Sequence, residues 1–296
     1  MDIVYRDWAT KRIIRTKSLD VLSACADSGA SGNLPSWVPD LRRPLAHDKS
    51  LWHFTHQGHI SRDRQRRIPL LPDLDFWNQE TLFPGIGVRL VLDGSFIGKI
   101  SSLSEVCDAV TNLPDPTNLT RRLRDIVKAL EIWYFNCRCQ IGLSNIDSDS
   151  SIPVVSSIGH ALLRSSSSSY GEQYALWRTF DSQEKGLWNA IPNSNLRDFE
   201  ATLFTLVHGC QLFVIGNGNS HVGVVAGNCS PQLGDELWIL RGGLTPFILR
   251  KNVDGHRLIS PCFFQGYMEV ESNEFRPKSA LSNHLSSTKL DKVVLT

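Results

Sequence analysis

The chain has 296 residues, enough for one large domain or two ordinary ones that each bury a core. Its 41% hydrophobic and 21% charged residues are typical of soluble globular proteins and exclude a collagenous, coiled-coil or wholly disordered chain. The formal net charge of +1 gives no global attraction to nucleic acid or to an anionic membrane, so partners have to be sought in local features.

We expect neither a targeting segment nor a membrane segment. The opening MDIVYRDWATKRII lacks an apolar run long enough for a signal peptide. The most apolar stretch, Thr202 to Ile215, is shorter than the roughly 20 residues of a spanning helix. Seven cysteines, an odd number without framework spacing, favour reduced and buried thiols. These features predict a cytoplasmic protein without a membrane partner.

The first predicted elements are a helix and an extended docking segment. The helix runs from Asp2 to about Arg15, with apolar residues near helical spacing at Val4, Trp8 and Ile14. After a polar loop comes Leu34-Pro35-Ser36-Trp37-Val38-Pro39-Asp40, whose two prolines forbid a helix interior. Trp37 is predicted to anchor this segment by burying its large side chain against neighbouring structure.

Residues 47–67 are predicted to form a mobile polar loop. Histidines at 47, 53, 56 and 59 suggest a transition-metal site, and the arginines between Arg62 and Arg67 suggest contacts to nucleic-acid phosphates. A loop holds metal poorly without supporting groups, and the pI of about 7.7 falls short of a basic domain. We therefore expect no metal and no cofactor, and nucleic acid is disfavoured as a partner.

A β-hairpin is predicted between Arg89 and Ile100. Two apolar runs flank the pair Asp93-Gly94, a dipeptide favoured in tight hairpin turns. The chain then enters a predicted helical region. Its clearest amphipathic helix runs from Leu119 to Tyr134 behind the cap Asp115-Pro116, and a second helix runs from Asn195 to His208.

The segment from Gln211 to Glu269 is predicted to be a compact module of short antiparallel strands. Six apolar runs alternate with turns rich in glycine, which is typical of a small barrel or a strongly twisted sheet. The turn Gly216-Asn217-Gly218-Asn219 resembles a phosphate-binding loop, but a strand follows it where such a loop requires a helix. A hairpin turn is therefore the favoured interpretation.

Together these elements predict an α+β fold with a helical middle, an N-terminal β-hairpin region and a C-terminal small antiparallel β-barrel-like module. Residues 1–145 would hold the first helix, the docking segment, the hairpin and the amphipathic helix. Residues 146–169 would be a mobile serine-rich insertion, and residues 170–273 would hold further helices and the β module. Residues 274–296 would form a flexible tail.

No combination of residues amounts to a catalytic signature. His208 beside Cys210, or Asp235 with His256, could supply parts of a hydrolase, but no Gly-x-Ser-x-Gly nucleophile elbow occurs. Asp235, after Gly234, is better explained as a turn residue before a buried strand. We expect a protein that is not an enzyme. The alternative is a cysteine- or histidine-dependent hydrolase that uses a cleft between the two halves.

Three blocks of the sequence carry a family resemblance. The first runs from Val4-Tyr5-Arg6-Asp7 to the segment Leu34–Asp40, the second is Arg89–Ile100, and the third begins at Gly234-Asp235-Glu236-Leu237. In this order they resemble the region downstream of the HET domain in fungal heterokaryon-incompatibility-type proteins. The resemblance implies structural or docking roles for Leu34, Pro35, Trp37, Val38, Pro39, Asp40, Gly234, Asp235, Pro246, Phe247, Arg250 and Gly266.

The HET domain itself is not recognisable in this chain. In the family it precedes the Trp-Val-Pro-Asp segment and is linked to programmed cell death after fusion of unlike hyphae, but its Ser-Tyr-x-Trp-Gly motif does not occur here. The resemblance therefore implies a non-enzymatic scaffold or regulatory companion region, either a fragment or a degenerate paralogue. Its expected partners are other incompatibility or signalling proteins.

Overall fold

The computed structural model describes residues 2–25, 34–40, 77–84, 89–107, 132, 136, 209–216, 221–226, 229–243, 245–264 and 290–296. Its helical elements are α1 (Asp2–Thr16), a 3-10 helix (Asp20–Ala24) and α2 (Gln79–Leu82). Its strands are β1 (Leu90–Leu103), β2 (Cys210–Ile215), β3 (His221–Ala226), β4 (Glu236–Leu240), β5 (Phe247–Asn252), β6 (Gly255–Pro261), β7 (Phe263–Phe264) and β8 (Asp291–Leu295).

The expected α+β class with a helical middle is wrong. The described residues are mostly β-sheet, and eight strands join into one sheet beside three short helical elements. The helices predicted at Leu119–Tyr134 and Asn195–His208 fall almost wholly outside the described residues. The described part of the chain is therefore organised by strand pairing.

Five of the strands pair in a closed ring. β4 pairs with β5, β5 with β6, β8 with β1, and β1 with β4, all antiparallel. The ring closes through a parallel contact between β6 and β8, where His256 lies opposite Leu295. This closing contact is a single residue pair, extended by the Thr296 amide, which donates to the His256 carbonyl at 3.0 Å.

This ring corrects the expectation of a self-contained module between Gln211 and Glu269. Two of the six apolar runs, at His221–Ala226 and Glu236–Leu240, predict the bounds of β3 and β4, and the other four overlap β2, β5, β6 and β7. The ring also needs β1 and β8 from outside the segment. The last residues were expected to belong to a flexible tail, and in the structure Asp291–Leu295 pair with five consecutive residues of β1.

The predicted hairpin at Asp93-Gly94 is also wrong, because β1 is one continuous strand of 14 residues. Gly94 lies opposite Leu240, and a Cβ atom there would meet the Leu240 side chain at 3.1 Å and the Trp238 ring at 3.2 Å. Asp93 forms ion pairs with Arg241 at 3.3 Å and with Lys292 at 2.8 Å. The dipeptide therefore serves close strand packing and cross-strand charge pairing instead of a turn.

β1 carries the chain from the ring into a second group of strands. Its end pairs with β2, β2 pairs with β3, and β3 pairs with the short β7. Gly223 in β3 lies directly under the ring of Phe213, so the strand has no room for a side chain there. Phe213 in turn stacks on Phe264 of β7 at a centroid distance of 6.0 Å.

α1 and the docking segment cover one end of the ring's core. α1 buries Ala9 and Ile13 in the same apolar cluster as Leu90, Leu240 and Leu295. The spacing of Val4, Trp8 and Ile14 predicted the helix, but Val4 and Trp8 face solvent with exposed fractions of 64% and 44%. In the described part of the chain, no helix is long and apolar enough to cross a membrane.

Candidate functional site

The main polar cluster of the ring is centred on Glu236, the first residue of β4. The carboxylate is buried, and its Oε2 atom accepts hydrogen bonds from Trp238 Nε1 at 3.0 Å and from His256 Nε2 at 3.2 Å. Lys99 Nζ lies 3.7 Å from Oε1. We call these four residues, with Phe96, the Glu236 cluster.

Strand geometry brings the Glu236 cluster together. Residues two apart in a strand share a face, so Glu236 and Trp238 project to the same side of β4. On β1, Lys99 lies opposite Glu236 and Phe96 lies opposite Trp238. His256 enters from β6, at the position where the ring closes on β8.

Aromatic packing fixes the orientation of the cluster. Trp238 contacts the His256 ring edge-on at a centroid distance of 5.6 Å and the Phe96 ring at 5.4 Å. Phe96 is 40% exposed and Trp238 is 6% exposed, so the cluster reaches the surface through Phe96 and Lys99. Burial strengthens the hydrogen bonds of a carboxylate that keeps its partners, and those partners fix its position.

The cluster can orient an imidazole, but among the described residues no hydroxyl or thiol hydrogen-bonds to that imidazole. Within them, the His256 ring hydrogen-bonds only to Glu236, and its buried Nδ1 atom has no partner. A cysteine- or serine-type hydrolase requires a hydroxyl or thiol next to such a base. The described arrangement is a polar contact between β4 and β6.

A second polar contact joins Asp235 to Arg250. Arg250 Nε donates to Asp235 Oδ1 at 2.8 Å and Arg250 Nη2 donates to Oδ2 at 2.9 Å, which makes the ion pair bidentate. Arg250 Nη2 also donates to the Ser230 carbonyl at 3.0 Å. Gly234 precedes this pair with φ of +86°, a backbone conformation that glycine adopts easily.

The docking segment is tied to the ring by main-chain and side-chain contacts. Trp37 is fully buried and its ring lies 5.2 Å from that of Phe83. Ser36 Oγ accepts a hydrogen bond from the Leu258 amide at 2.9 Å, and the Ser36 amide donates to the main-chain oxygen of Thr296 at 2.9 Å. Leu34–Asp40 therefore lies against β6 and the residue that follows β8.

The remaining residues singled out in the sequence have varied positions. Val38, Pro39, Pro246 and Phe247 are buried, whereas Leu34, Pro35 and Asp40 are partly buried. Gly266, the histidines of residues 47–59 and the arginines Arg62–Arg67 lie outside the described residues. The described part of the chain contains no group of three or more His, Cys, Asp or Glu side chains that could hold a metal ion.

The pieces proposed for a hydrolase are not brought together in the described structure. Asp235 pairs with Arg250, whereas His256 pairs with Glu236. Cys210 is buried at the start of β2, and His208 lies outside the described residues. Burial also raises the pKa of the Cys25 and Cys262 thiols well above their ordinary value, which disfavours the nucleophilic thiolate.

The sequence reasoning missed Glu236, Trp238 and Lys99 as a group. Alternation along β4 places Glu236 and Trp238 on one face, and that signal was available. Lys99 and His256 come from distant parts of the chain, so only the strand pairing reveals them.

Comparison with known proteins gives no assignment for this arrangement. No family model, no curated protein and no solved structure matches the chain.

Proposed function

We propose that the chain is a non-enzymatic scaffold or regulatory companion region of a HET-type incompatibility protein, acting in the cytoplasm. The observation that supports this proposal is that the three blocks behind the resemblance pack into one unit. The second block lies in β1, which pairs with β4 of the third block. Ser36 of the first block hydrogen-bonds to Leu258 of the third.

The contacts of the buried polar residues agree with a scaffold. Asp235 and Arg250 satisfy each other, and Glu236 is surrounded by Trp238 and His256. These contacts hold strands of the ring together and leave no described nucleophile beside a base. A region built in this way would act by presenting a surface to another protein.

The surface that we assign to this role is the exposed apolar face of α1. Ile3, Val4 and Trp8 are 70%, 64% and 44% exposed, although the same helix buries Ala9 and Ile13 in the core. In the family that the sequence resembles, the HET domain precedes the Trp-Val-Pro-Asp segment in the sequence, and α1 also precedes that segment in this chain. A HET domain is therefore the occupant that we propose for this face, with Trp8 as an aromatic anchor.

Binding of a purified HET domain tests the proposal. Calorimetric titration should detect a complex with the wild-type chain, and Trp8→Asp should weaken it at least tenfold, equivalent to about 1.4 kcal/mol. Val253→Asp is the matched control, because Val253 is an exposed apolar residue in the turn between β5 and β6. Equal binding by both variants, or no binding by the wild type, would contradict the proposal.

A further inference from the structure

Two cysteines are joined through main-chain hydrogen bonds: Cys107, four residues after the end of β1, and Cys210, the first residue of β2. The Cys107 amide donates to the Cys210 carbonyl at 2.7 Å, and the Gly209 amide donates to the Cys107 carbonyl at 2.8 Å. Gly209 has φ of +75°. This hydrogen-bond pattern, with a left-handed glycine at the first position, is that of a G1 β-bulge in which Gly209 and Cys210 oppose Cys107.

The main-chain hydrogen bonds keep Cys107 and Cys210 adjacent, as in a strand pair. Residues paired across antiparallel strands have Cα atoms about 4.5–5.5 Å apart, within the about 4.4–6.8 Å that a disulfide spans. Both side chains are buried, with 0% exposure for Cys107 and 1% for Cys210. Both are reduced in the structure.

The other described cysteines lack this relationship. Cys25 follows the 3-10 helix and its thiol donates to the Val21 carbonyl, Cys229 precedes β4, and Cys262 lies between β6 and β7. Among the described residues, the main-chain hydrogen bonds of Cys25 and Cys262 go to Leu22 and Pro246. Cys107 and Cys210 are held side by side by main-chain hydrogen bonds.

We propose that Cys107 and Cys210 are a disulfide-forming pair that responds to a low-molecular-weight disulfide such as glutathione disulfide. One thiolate attacks the glutathione disulfide and releases one reduced glutathione, leaving a mixed disulfide. The second thiolate attacks the protein sulfur of that mixed disulfide and releases the second glutathione. The protein loses two protons and two electrons, and the glutathione disulfide gains them as it becomes two reduced glutathione molecules.

The bond would join the end of β1 to the start of β2 and close a long loop of the chain. Cross-linking residues about 100 positions apart restricts the unfolded chain more strongly than a short loop does. The oxidised protein should therefore melt on the order of 10 °C higher than the reduced protein. Since both thiols are buried, oxidation has to proceed through transient opening of this strand pair.

Peptide mapping of the full chain tests the proposal directly. The protein is held for hours in a glutathione redox buffer, quenched with acid, alkylated, digested and analysed by mass spectrometry. The expected result is a dominant Cys107–Cys210 peptide with the loss of two hydrogens. A mixture of pairings among the other cysteines, or no cross-link at any buffer ratio, would overturn the proposal.

Variants separate the pair from a general effect of oxidation. Cys229→Ser is the control, because Cys229 is also buried but is not part of the bulge; it should keep the cross-link and the shift in melting temperature. Cys210→Ser should lose both. If Cys210→Ser does not fold, the wild-type mapping decides alone. An unchanged melting temperature in fully cross-linked wild-type protein would contradict the stabilising role of the bond.

Discussion

Replacing Arg250 with alanine should destabilise the protein more than removing one partner of a solvent-exposed ion pair does. Arg250 supplies two hydrogen bonds to the Asp235 carboxylate, whose side chain is only 3% exposed. After the change, the contact that remains to this carboxylate is the Gln232 amide at 2.8 Å. A buried carboxylate would thus lose its charged partner, and breaking such a pair costs about 3–5 kcal/mol.

The lower end of that range is the better expectation here, because the Arg250 side chain is 26% exposed and water can reach the vacated space. A loss of about 3 kcal/mol corresponds to a fall of roughly 1 M in the urea midpoint, for an m-value of about 3 kcal/mol/M. Arg250→Lys should fall between wild type and Arg250→Ala, because lysine keeps the charge but cannot form the bidentate contact.

Equilibrium urea unfolding followed by tryptophan fluorescence measures this change. Lys11→Ala is the matched control, because Lys11 forms an ion pair with Asp7 at 2.7 Å while its side chain is 75% exposed. That pair should contribute about 0.5 kcal/mol or less. The reasoning is refuted if Arg250→Ala and Lys11→Ala shift the midpoint by the same amount.

Substitutions at Gly94, Trp37 and Trp8 and chemical labelling of Cys262 test other parts of the fold. Gly94→Val should lower the free energy of unfolding by about 1–3 kcal/mol, because the valine side chain would clash with Trp238 of β4. Urea unfolding measures this loss, and an unchanged midpoint would contradict the close approach of the two strands. Trp37→Ala should lower the free energy of unfolding by about 3–5 kcal/mol, because Trp37 is fully buried. Trp8→Ala should leave the urea midpoint nearly unchanged, because Trp8 is 44% exposed. Burial raises the pKa of the Cys262 thiol, so little reactive thiolate is present in the folded protein. Iodoacetamide at pH 8 should therefore label Cys262 at least a hundredfold more slowly in the folded protein than in urea. Equal labelling rates would disprove the burial of Cys262.

Labelling rates also separate the proposed scaffold from the hydrolase alternative. A catalytic cysteine would react much faster than its neighbours, and Cys210 was the candidate for that role. Cys210 is 1% exposed at the start of β2, so we expect slow labelling without any outlier among the described cysteines. Fast labelling of Cys210 alone would favour the enzyme.

The strands between residues 210 and 264 could be predicted because their signals are local. The bounds of β3 and β4, at His221–Ala226 and Glu236–Leu240, are those that apolar runs and glycine turns predict. Each of these strands is short and is bounded by residues that disfavour continued extension. No long-range information is needed to find them.

The path of β1 could not be predicted from the same local signals. Asp93-Gly94 has the composition of a turn, but the pairing of β1 with both β8 and β4 keeps it extended. The need for a glycine becomes visible only when Trp238 and Leu240 lie against it. Tertiary contact thus overrides turn chemistry at this position.

The Glu236 cluster and the last strand illustrate the same limit. Lys99 and His256 contact Glu236 from two different strands, so their association depends on ring closure. Asp291–Leu295 follow a long polar stretch, and Val293 and Leu295 are buried because this strand pairs with β1. Pairings between distant residues are set by the whole fold and leave little trace in local composition.

Cell death in a chimeric protein tests the proposed function most directly. The region downstream of the HET domain in a HET-type incompatibility protein is replaced by this chain, and the death of fused fungal cells is scored. The account predicts cell death with the wild-type chain and with Val253→Asp, and loss of cell death with Trp8→Asp. The account is contradicted if both variants behave like the wild type and an unrelated β domain of similar size supports the same death rate.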